Sequence, residues 1–128
     1  MRTIFFETDQ FNLTKEHDQF INPGCFGEDF ANWLKPHLEN SGIEVSDIYQ
    51  EDWGWEIDCS GYYLGVGGLP ENDSSNLGEW RVMITKKRSF VEVIFSKNRL
   101  SRDEVILSQL FSILNAAGFT KVRHKENA

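Results

Sequence analysis

Two runs of alternating residues flank Ser60-Gly61 in matching phase, and this hairpin constrains the fold more than any other segment. Before it, Trp53, Trp55, Ile57 and Cys59 alternate with Gly54, Glu56, Asp58 and Ser60; after it, Tyr62, Leu64 and Val66 resume the apolar series. A period of two is the pattern of a strand with one buried face. A two-residue turn pairs Cys59 with Tyr62, Ile57 with Leu64 and Trp55 with Val66, so turn length and apolar pattern demand one register. A slip by one residue would carry every apolar side chain of a strand into water.

The rest of the chain supplies partners for this hairpin. Thr3 to Phe11, rich in Thr, Ile and Phe, suits a first strand. Asn22-Pro23-Gly24 reads as a turn or the start of a helix. Phe26, Phe30, Trp33, Leu34 and Leu38 recur at helical spacing; Pro36 should kink or interrupt that helix, and Ser41-Gly42 should end it. Gly67 to Gly78 reads as a long polar loop. A second hairpin then runs through Trp80, Val82 and Ile84, turns at Lys87-Arg88-Ser89, and returns through Val91, Val93 and Phe95.

Ser101-Arg102-Asp103-Glu104 has the form of a capping box. The helix after it would bury Ile106, Leu107, Leu110, Phe111, Ile113, Leu114 and Ala117 and stop at Gly118, with a short strand over 119–122 beyond. The expectation is one α+β domain over residues 1–128: an antiparallel sheet of about five strands, in the order β-α-β-β-β-β-α, with two helices packed on one face. Residues 125–128 are expected to be a disordered tail.

Charge narrows the partners. The chain of 128 residues carries a formal net charge of −7, against the basic footprint of a nucleic-acid binder. Residues 1–80 set sixteen Asp and Glu against Arg2, Lys15 and Lys35, whereas residues 81–128 set ten Lys and Arg against four acids. The halves could interleave and screen one another, or form a two-poled surface suited to a protein partner or a second copy. No apolar run is long enough for a membrane span, and the N-terminus meets acidic residues too early for a signal peptide. Cys25 and Cys59 fit no disulfide or zinc pattern, so a reduced cytoplasmic setting is expected.

Few residues point to chemistry. Cys25, near a helix start, could be a nucleophile, but His17, His37 and His124 form no recognisable arrangement with it, and a buried structural cysteine is the plainer reading. Cys59 lies on the apolar strand face. No metal-ligand spacing is present and no cofactor is expected. Gly65-Val66-Gly67-Gly68 lacks the following helix that a phosphate loop needs.

The outward face of the first hairpin is more suggestive. The register places Gly65 opposite Glu56, Tyr63 opposite Asp58 and Gly67 opposite Gly54. That is a side-chain-free platform walled by two carboxylates and a phenol, either a ligand site or a solvated face with glycines serving twist. On the second hairpin the outward residues Met83, Phe90 and Ile94, with Arg81 and Glu92 beside them, suggest a homodimer interface.

Asn22-Pro23-Gly24-Cys25-Phe26-Gly27-Glu28-Asp29, Glu51-Asp52-Trp53-Gly54-Trp55 and Gly78-Glu79-Trp80-Arg81-Val82 resemble segments of an uncharacterised family of small bacterial proteins. The resemblance implies a bacterial source and no particular activity. The function expected is therefore that of a small binding or interaction protein, of accessory or inhibitor type, without catalysis. A small-molecule binder, or an enzyme using Glu56, Asp58 or Cys25, is the alternative.

Overall fold

The computed structural model describes residues 2–14, 25–71, 75–87 and 99–126. In chain order the elements are β1 (Arg2–Thr8), α1 (Glu28–Asn40), β2 (Val45–Glu51), β3 (Gly54–Cys59), β4 (Tyr62–Pro70), β5 (Gly78–Lys86), α2 (Arg99–Ala116) and β6 (Thr120–Glu126). The fold is α+β, with one antiparallel sheet ordered β2-β3-β4-β5-β1-β6.

The Ser60-Gly61 hairpin has the register its alternation requires. Trp55 pairs with Val66, Ile57 with Leu64 and Cys59 with Tyr62, and all six are buried on the helix-covered face. Val82 and Ile84 extend that face on β5, and Ile4 and Phe6 extend it on β1. Both helices pack here. Phe30, Leu34 and Leu38 of α1 and Ile106, Leu110 and Leu114 of α2 join one continuous core.

Aromatic rings tie the distant parts together. Phe11 lies 5.1 Å from Phe30, 5.6 Å from Trp80 and 5.8 Å from Phe119, while Phe6 stacks on Phe119 at 5.1 Å. Burying each such side chain is worth about 1.5–3 kcal/mol, against about 0–1 kcal/mol for a surface ion pair. The core, not the charge pattern, therefore holds the two halves together.

Several expectations are corrected. Trp53 does not join the core: Asp52 and Trp53 form the two-residue turn between β2 and β3, where Glu51 pairs with Gly54, and Trp53 is 40% exposed. The region after Val66 is not all loop, because Gly67, Gly68, Leu69 and Pro70 continue β4 and pair with Arg81, Trp80, Glu79 and Gly78. Gly68 permits this, since a Cβ there would stand 2.7 Å from the buried Trp80 indole. Among the described residues the sheet has six strands, in keeping with the expectation of about five; β2 is a strand the pattern did not foresee, and β6 extends beyond the short strand anticipated. Lys125 and Glu126, expected in a disordered tail, instead pair with Thr3 and Arg2 in β6, and residues 127–128 lie outside the described residues.

α1 runs through Pro36 without interruption, because Pro36 and Asn32, whose carbonyl loses its partner, both face solvent. It ends at Ser41-Gly42, where the N–H groups of Gly42 and Ile43 donate to the carbonyls of Glu39 and Leu38 at 3.0 Å. The backbone of α2 is already helical at Arg99, so Ser101 is not its cap. Asn22-Pro23-Gly24 and the return strand through Val91, Val93 and Phe95 lie outside the described residues. Among the described residues no helix is long and apolar enough to cross a membrane.

Candidate functional site

The face of the sheet opposite the helices carries the polar and exposed residues. One row crosses the whole sheet: Tyr49 aligns with Glu56, Glu56 with Gly65, Gly65 with Met83, Met83 with Thr3, and Thr3 with Lys125. Backbone register alone therefore gathers Glu56, Asp58, Tyr63 and Gly65, as the hairpin pattern implied.

Their surroundings differ from an open platform. The Tyr49 hydroxyl donates to Glu56, and this bond with the adjacent negative charge pushes the Tyr49 phenol up to about 12. Asp58 is paired with the Lys87 ammonium, which lies 4.7 Å from the centre of the Tyr63 ring. Both carboxylates are thus engaged, by different partners. Gly65 is covered: a Cβ there would stand 2.6 Å from Trp53 Cη2 and 3.0 Å from the Met83 methyl. The missing side chain makes room for an indole.

Beside that indole is a cleft of about 70 Å³ lined by Phe5, Trp53, Gly67, Leu69, Glu79 and Arg81, with Gly68 and Trp80 behind. Leu69 is 68% exposed at its rim. The Arg81 Nε is buried and, among the described residues, has no hydrogen-bond partner. Glu79 accepts from Arg123 at 2.5 Å, and the Arg123 guanidinium lies 5.3 Å from the Phe5 ring centre. The arrangement is an aromatic and aliphatic patch around an arginine with an unused donor, bordered by an ion pair. Trp53, the residue that shapes it, continues the Trp55-Ile57-Cys59 alternation and so reads as core; Asp52 before it, in the acidic Glu51-Asp52 pair, is the turn-favouring residue that points the other way.

Met83 and Arg81 lie on this face, whereas Phe90, Glu92 and Ile94 are outside the described residues. The Cys25 thiol faces the carbonyls of Asp52 and Glu51 at 3.3 and 3.5 Å, and its own carbonyl accepts from Trp55 Nε1 at 3.0 Å. Cys59 is buried in the core, and burial pushes its thiol up to about 12. Both cysteines are free. Among the described residues no group of three His, Cys, Asp or Glu could hold a metal ion. Compared with known proteins, the chain matches no family model, no curated sequence and no solved structure.

Proposed function

We propose that this chain is a protein-binding domain of accessory or inhibitor type, which docks a partner on the outer sheet face at the Trp53–Arg81 cleft. The observation that carries this reading is the half-exposed Trp53 indole beside an arginine whose buried Nε has no partner among the described residues. Trp and Arg are the residues most enriched among interface hot spots, and a desolvated donor gains most when a partner supplies an acceptor. The complementary segment offers an apolar side chain to Trp53, Phe5 and Leu69 and a carboxylate or carbonyl to Arg81. Two free, buried thiols favour a reducing compartment, which supports the cytoplasm as the place of action. The engagement of Glu56 and Asp58 supports binding rather than acid–base catalysis at that face.

A photo-crosslinking residue at Leu69 tests this in cells expressing the chain. A discrete adduct should form and disappear in Trp53→Ala and Arg81→Ala, with the melting temperature of both variants close to wild type. An adduct that persists in both variants, or none at all, refutes the reading.

Small-molecule binding is the second reading, favoured by a groove of about 450 Å³ between the helices, lined by Gln10, Trp33, His37, Asn40, Ser112 and Ile113 among others. Its volume suits a small ligand and its lining mixes one aromatic floor with several polar groups. Native mass spectrometry of gently purified protein would reveal a retained small molecule.

A further inference from the structure

The two free edges of the sheet are complementary in length, direction and charge. β2 and β6 bound the sheet on opposite sides, each is seven residues long, and among the described residues no strand pairs with the outer edge of either. Counting through the antiparallel ladders, β2 runs opposite to β6. Two copies placed side by side with the same face outward would therefore bring β2 of one against β6 of the other as an antiparallel pair.

The side chains agree with that placement. Asp47, Tyr49 and Glu51 share the outer face of β2, because they align with Asp58, Glu56 and Gly54. Arg123 and Lys125 align with Phe5 and Thr3 on the outer face of β1, and Lys121 meets Glu7 there at 3.1 Å. In register, Asp47 would face Lys125 and Tyr49 would face Arg123, whereas Glu51 would lie beside Lys121, where a one-residue shift interrupts the β6 ladder. Asp47, Glu51 and Lys125 make no ion pair among the described residues. Pairing β2 with β2 would oppose acids, and pairing β6 with β6 would oppose bases; both are disfavoured. Charged edges ordinarily protect a sheet from association. Here each edge repels its own kind and attracts the other, which turns the uneven charge of the sequence into a polarity across the sheet.

We propose that this chain self-associates head to tail, the β2 edge of one copy adding to the β6 edge of the next. Backbone hydrogen bonds supply the attraction and the facing side chains, Asp47 with Lys125 above all, set the register. The contact is heterologous, so it propagates to a short chain of copies rather than a closed two-fold dimer. The homodimer expected on the outer face around Met83 is a different contact, and the edge contact goes beyond the docking cleft proposed above.

Sedimentation velocity tests it, with protein concentration raised to about 0.5 mM at about 0.05 M salt and again near 1 M, where charge is screened. Wild type should associate at low salt and dissociate at high salt. Asp47→Lys and Lys125→Glu should each weaken association about tenfold or more, and mixing the two variants should restore it. Trp53→Ala, which alters only the outer-face cleft, should associate like wild type. A wild type that stays monomeric throughout overturns the proposal. So does association insensitive to both edge variants, or association lost in Trp53→Ala.

Discussion

Trp53 lies across Gly65, with its Cη2 where a side chain at position 65 would come within 2.6 Å. The contact is asymmetric, because Trp53 is 40% exposed and can swing into solvent. Gly65→Ala should therefore cost little stability, about 1 kcal/mol, while displacing the indole and shifting Trp53 emission to the red. Comparison with Trp53→Phe isolates that emission. Gly68→Ala makes the opposite case: its Cβ would meet the fully buried Trp80 at 2.7 Å and Leu13 at 2.9 Å, with nowhere for either to go. It should cost about 1–3 kcal/mol in urea unfolding. Equal costs for the two variants would show that Trp53 is as fixed as Trp80.

Ile57 and Leu110 are fully buried on the sheet and on α2. Ile57→Ala and Leu110→Ala should each cost about 2–5 kcal/mol, through lost transfer free energy and the cavity left behind. Leu69→Ala, at a site 68% exposed, should stay within about 0.5 kcal/mol. Denaturant midpoints for the three variants check the order.

The Tyr49–Glu56 bond makes stability depend on pH at the alkaline end. The folded state holds the Tyr49 proton up to about 12, above the ordinary value of 10.0. The folded chain thus binds more protons than the unfolded chain between those values, and stability falls as pH rises through that window. The contribution is fully present below pH 10.0. Tyr49→Phe should flatten this part of the curve, and Glu56→Gln should bring the Tyr49 titration, followed by phenolate absorbance, back toward its ordinary value.

Cys59 is wholly buried, with its thiol pushed up to about 12, and Cys25 is nearly as enclosed. A thiol reagent at neutral pH should label neither in the native protein and both after unfolding. Rapid native labelling of Cys25 would mean that its contact with the Glu51 and Asp52 carbonyls opens readily.

Local pattern determined the hairpin around Ser60-Gly61, the register Ile57–Leu64 and the apolar stripes of both helices, because each is set by residues a few positions apart. It also placed Glu56, Asp58, Tyr63 and Gly65 on one face. Tertiary structure decided the rest. β2 carries Ser46, Asp47 and Gln50 and lacks a clean alternation, and it is a strand because β3 pairs with it along one side. Gly67 to Pro70 has loop composition, yet it is a strand because the Trp80 indole packs against the bare backbone at Gly68. β6 runs past the short strand expected over 119–122 because it pairs with β1 at the far end of the chain. Trp53 belongs to the outer face because the Asp52-Trp53 turn releases it there and Gly65, on another strand, leaves the space. A side chain's neighbours across a sheet are set by pairing between distant segments, and the intervals of a single strand do not carry that information.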